Sequence, residues 1–93
     1  MSEDARIAAD IRALLASRAP DASICPSEVA RRLYAEDAWR DAMPEVRRVA
    51  VALAAEGVIR ITQSDVVLDP EAAVSGPIRL RRGAGWIDDT SND

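Results

Sequence analysis

Histidine, lysine and phenylalanine are missing from these 93 residues, and there are one cysteine, one tyrosine and two tryptophans. Without His the chain lacks the commonest general base and the commonest metal ligand. One Cys excludes an internal disulfide, and no Cys, His or Asp cluster has metal-binding spacing. No apolar run approaches the roughly 20 residues of a membrane span. The opening Met1-Ser2-Glu3-Asp4 carries neither the basic nor the apolar region of a secretory signal. These absences predict a cytoplasmic protein with no membrane partner. A Gly-rich phosphate loop and a nucleophile–base pair are also absent, and Asp88-Asp89 fall in an expected tail where nothing preorganises them. The sequence therefore predicts no enzyme: no catalytic residue, no metal and no cofactor.

What is present suits one small domain. A chain of this length buries about two thirds of its unfolded surface, enough for a single core. The hydrophobic fraction of 48% comes chiefly from Ala, Val, Leu and Ile, whose modest size favours close helix packing. All 12 basic residues are Arg, a usage that fits the coding bias of a GC-rich bacterial genome. The formal charge of −4 argues against coating nucleic acid by charge alone. Its distribution is uneven, with nine Arg against eight acids from Arg31 to Arg82 and three Asp with no base after Arg82. Affinity for nucleic acid must then come from local Arg placement.

Ser2-Glu3-Asp4 places a capping hydroxyl and two acids at a helix start, and Ile7, Ile11, Leu14 and Leu15 follow as one apolar stripe. This predicts a first helix from about Glu3 to Ser17. Ser23-Ile24-Cys25 reads as a short strand or extended lead-in. Pro26 then starts a helix to about Tyr34 with Val29 and Leu33 inward. Asp37 is a candidate cap for a single turn that carries Trp39 and Met43, and Pro44 is expected to end that turn and start a separate helix to Glu56. That helix buries Val46, Val49, Ala50 and Leu53, and Gly57 supplies a left-handed stop. Strands are predicted at Val58–Thr62, Val66–Leu68 and Ile78–Arg81, with a turn at Gln63-Ser64-Asp65 and a loop over residues 69–77. The fold class is α+β: a winged helix-turn-helix of three main helices and a small antiparallel sheet, occupying residues 1–82, with a mobile acidic tail at 83–93.

The stretches Ile24-Cys25-Pro26-Ser27-Glu28-Val29-Ala30-Arg31, Met43-Pro44-Glu45-Val46-Arg47-Arg48 and Ala54-Ala55-Glu56-Gly57-Val58-Ile59 occur in that order. With Ile61-Thr62-Gln63, Leu68-Asp69-Pro70 and Gly76-Pro77-Ile78-Arg79 they cover about two thirds of the chain. In these stretches the chain resembles a small uncharacterised bacterial family, domain of unknown function 3253. The resemblance implies a winged-helix domain and brings no activity with it. The chain departs from the family pattern at Ser64-Asp65, where a basic residue and Gly are expected after Thr62-Gln63; this weakens a wing inserted against phosphates.

Arg47 and Arg48 fall in the first turns of the candidate recognition helix, where bases or phosphates are met. The rest of that outer face has no Ser, Thr, Asn or Gln to read base edges. Val51, Ala52 and Ala55 are a candidate protein interface or weak homodimer contact. Alternation gathers Arg60, Arg79 and Arg81 on the outward face of the sheet, a cluster that suits bidentate binding of phosphate or carboxylate. Pairing with Asp69, Glu71 or the acidic tail is the plainer use of those three. Cys25, just before Pro26, is a candidate redox thiol at a helix start, and a small hydrophobe in the lead-in is the plainer reading. The functional expectation is a nucleic-acid-binding module, transcription-associated, with double-stranded DNA as partner. The alternative is a protein-interaction adaptor of the same fold that does not bind DNA.

Overall fold

A computed structural model describes residues 2–64, 66–70 and 76–87. Helix α1 (Glu3–Ala16) is capped by Ser2, whose Oγ accepts a hydrogen bond from the Ala5 N–H at 3.1 Å, and its stripe Ile7, Ile11, Leu14 and Leu15 is buried. Strand β1 (Ser23–Ile24) leads into α2 (Pro26–Leu33). At that junction the Glu28 carboxylate reaches back to accept from the Cys25 N–H at 2.8 Å, so a first-turn acid satisfies a donor the helix cannot. Val29 and Ala30 are buried, and Leu33 packs against the core from its edge.

Helix α3 spans Ala38–Ala55 without a break, and Pro44 lies inside it. The separate turn and restart expected at Pro44 do not occur. Pro44 has no N–H to give the Arg40 carbonyl, which disfavours a helix interior. Ala42 on one side of it and Val46, Val49, Ala50 and Leu53 on the other are buried along one stripe, however, and packing that stripe outweighs one missing bond. Asp37 occupies the cap position but makes no side-chain capping hydrogen bond. At the far end Gly57 adopts a φ of 82°, and the Gly57 and Val58 N–H groups close onto the carbonyls of Ala54 and Leu53, a Schellman stop.

The strands β2 (Ile59–Gln63), β3 (Val66–Val67) and β4 (Arg79–Arg82) join β1 in a four-stranded antiparallel sheet of order β1-β4-β2-β3. Ile24, Ile59, Ile61 and Leu80 point to the helices and are buried. One core therefore lies between the sheet and α1–α3, and it includes Ile7, Ile11, Val46 and Leu53.

Residues 83–87, within the expected mobile acidic tail, lie against the body; residues 88–93 fall outside the described residues. The Gly83 N–H donates to the Val58 carbonyl at 2.9 Å and the Gly85 N–H to the Gly57 carbonyl at 2.8 Å. A Cβ at Gly83 would collide with the Gly57 carbonyl, so this approach needs glycine. Trp86 packs on the core edge beneath Arg82, whose guanidinium carbon is 4.9 Å from the ring centroid. Arg82 turns away from the sheet surface and donates to the carbonyls of Leu15 (3.1 Å) and Arg18 (3.0 Å), closing the end of α1.

Candidate functional site

The outer side of α3 is where a partner of the second helix in a helix-turn-helix would be met, and its cations are engaged within the chain. Arg48 donates to both Asp4 oxygens, at 2.9 and 2.7 Å, and also to Glu45 one turn earlier. The Arg48 hydrogen bonds hold the Asp4 carboxyl below its ordinary range, and the two acids push the guanidinium above its own. Arg47 is half-buried, and its Nη2 donates to the Gly76 carbonyl at 2.6 Å, tying α3 to the segment before β4. Asp41 on α3 and Glu56 at its C-cap are also exposed. The face is thus a mixture of both signs.

Val51 is half-buried and packs against the core, so the apolar patch anticipated with Ala52 and Ala55 shrinks to those two exposed alanines. Helical periodicity places Val51 outward only while α3 is taken as standing alone.

The sheet's outward face does gather the three arginines that alternation assigned to it. Arg60 on β2 and Arg81 on β4 are direct cross-strand partners, and Arg79, two residues along β4, lies opposite Thr62. Arg79 donates from Nε to the Ser23 Oγ at 2.9 Å and from Nη2 to the Ser23 carbonyl at 3.1 Å. Arg81 donates to the Asp21 carbonyl at 2.8 Å. Arg60 is exposed and has no hydrogen-bond or ion-pair partner among the described residues. Like charges set opposite one another on a sheet repel, so an anion over Arg60 is favoured there.

Beside Arg60 the surface dips into a groove of about 230 Å³, lined among others by Ala54, Val67, Leu68, Pro70 and Ala84. Val67 is 58% exposed, one of three exposed large hydrophobics among the described residues. Alternation gave no warning of this groove, because it forms where β3 parts from β2. The signal available was the run Val66-Val67-Leu68 closed on both sides by Asp65 and Asp69, too short to bury both faces of a strand.

Cys25 is a free, half-buried thiol whose Sγ accepts from the Ser27 hydroxyl at 3.1 Å. Arg18 at 2.8 Å and the Cys25 N–H both bond Glu28 beside it; burial raises the Glu28 pKa, and these two partners outweigh burial to leave it lowered. Tyr34 donates its hydroxyl to Glu3, which lowers the Glu3 pKa and raises that of Tyr34. Trp39 is half-buried between Arg31, 4.3 Å from its ring centroid, and Arg40 at 5.2 Å. Among the described residues no group of three or more acids, Cys or His is placed to hold a metal. No helix among them is long and apolar enough to cross a membrane.

Three helices packed on a four-stranded antiparallel sheet define a small α+β domain. The chain belongs to the family described as Protein of unknown function (DUF3253), which matches residues 4–83. No curated protein matches it.

Proposed function

We propose that this chain is a cytoplasmic bacterial adaptor of winged-helix fold, which takes an acidic segment of a partner protein on the arginine face of its sheet. The element order, with β1 between the first two helices and β2 pairing β4 after the third, supports the winged-helix reading. The observation that carries the function is Arg60, exposed, without a partner among the described residues and directly across from Arg81.

Nucleic acid is the second reading, favoured by the same three guanidinium groups as phosphate ligands. Two features set it behind. Arg48 on α3 is closed by Asp4 and Glu45, so the helix face that a duplex meets in a helix-turn-helix carries acids beside its cation. A short acidic peptide meets the sheet face alone. Among the described residues no aromatic side chain stands on the outward sheet face for bases to stack on.

The test is fluorescence anisotropy with a labelled Glu-rich peptide at low salt, using wild type and the double variant Arg60→Ala/Arg81→Ala. Wild type should bind, more weakly as salt rises, and the double variant should lose most of that binding. Absence of binding by wild type, or equal binding by a variant that folds as wild type by circular dichroism, contradicts the proposal.

A further inference from the structure

The groove beside Arg60 has an origin in strand register. Strand β3 pairs with β2 only at Thr62 and Gln63, and the Leu68 N–H to Ile61 carbonyl bond at 2.8 Å is the last link between them. Beyond it, Ile59 and Arg60 have cross-strand partners in β4 alone, Arg82 and Arg81. The chain leaves through Pro70, and the gap opens onto the C-terminal end of α3 at Ala54. Its lining is apolar apart from Arg60, and Val67 stands exposed on its rim.

We infer that this groove is an anchor site for one branched aliphatic side chain of the acidic segment, so that the recognised motif is a Leu- or Ile-sized residue flanked by carboxylates. The inference rests on the proposed adaptor function and specifies its partner. Charge complementarity supplies the occupant: an exposed guanidinium, without a partner among the described residues, at the edge of an apolar groove suits a carboxylate adjoining an apolar group. At about 230 Å³ the space lies below the roughly 300–1,000 Å³ of small-molecule pockets and suits a side chain better than a cofactor. It has no aromatic wall on which a base could stack. The outward sheet residues beside it, Arg79 and Arg81, add to the field over the flanking acids.

Two labelled peptides decide the matter, one of Glu residues around a central Leu and the other with Ser in place of that Leu. They are titrated by anisotropy against wild type, Arg60→Ala and Ala84→Leu, the last placing a larger side chain into the groove from an exposed position. The Leu peptide should bind wild type about tenfold more tightly than the Ser peptide, the scale expected for burying one aliphatic group in a partly open site. That preference should vanish in Ala84→Leu while the residual binding of both peptides stays. Arg60→Ala should weaken both. Equal binding of the two peptides by wild type, with both still dependent on Arg60, overturns the anchor and leaves the acidic-segment reading intact. No binding of either peptide by wild type overturns that reading and the anchor with it.

Discussion

Arg48 on α3 grips both carboxylate oxygens of Asp4, the second residue of α1, across 44 positions of sequence. The contact ties the start of α1 to the outer face of α3. Both side chains are about half exposed, so it contributes little to stability and much to where charge is available. A cation that the sequence alone turns toward a partner is held by the chain's own acid.

Acid should loosen the fold, and the sign follows from the lowered carboxylates. Glu3, Asp4 and Glu28 have folded pKa values below their ordinary ones, so what they contribute is complete above the usual carboxylate range and is lost as pH falls through the lowered values. The melting temperature should therefore drop below about pH 4. Asp4→Asn should show a smaller drop than wild type in calorimetry. A melting temperature that is flat or rises on acidification contradicts this.

Leu53 on α3 is 7% exposed and Leu80 in the centre of the sheet is fully buried. Either one replaced by Ala should lose about 2–5 kcal/mol in urea unfolding, from lost methyl burial and the cavity left behind. A change under about 0.5 kcal/mol would place that residue at the surface.

Gly83→Ala should cost about 1–3 kcal/mol through a Cβ forced against the Gly57 and Ile59 backbone. Ala84→Gly, one residue on at an exposed position, is the control and should change little. Equal stability of Gly83→Ala and wild type would mean that Gly83 does not pack against the Gly57 and Ile59 backbone.

Most of the fold was legible because the punctuation was local. Ser2, Pro26 and Gly57 mark element ends by their own chemistry, and the 3.6- and 2-residue periods named the buried residues of α1, of α3 beyond Pro44 and of β2. Pro44 misled because its local penalty was weighed without the stripe from Ala42 to Leu53 that tertiary packing rewards. The grouping of Arg60, Arg79 and Arg81 followed from alternation. Their partners did not: Ser23 and Asp21 reach Arg79 and Arg81 only after β1 docks on β4. Asp4 beside Arg48 is likewise a tertiary fact, and it changes the outer face of α3 from a cationic surface to one of mixed sign.

Self-association through α3 should be absent or very weak. With Val51 turned partly into the core, Ala52 and Ala55 alone offer far less than the roughly 1,200 Å² of a stable interface. Sedimentation over a wide concentration range should give a monomer, with Ala52→Glu unchanged from wild type. A dimer dispersed by Ala52→Glu would restore the helix as an interface.

Titration of a labelled mixed-sequence duplex at low salt, read by anisotropy, bears most directly on whether this fold reads DNA or protein. Wild type should leave the duplex free at concentrations where it binds the acidic Leu peptide. Duplex binding that falls steeply with salt, and that disappears in Arg47→Ala/Arg48→Ala, would contradict the adaptor assignment and return α3 to the role of a recognition helix.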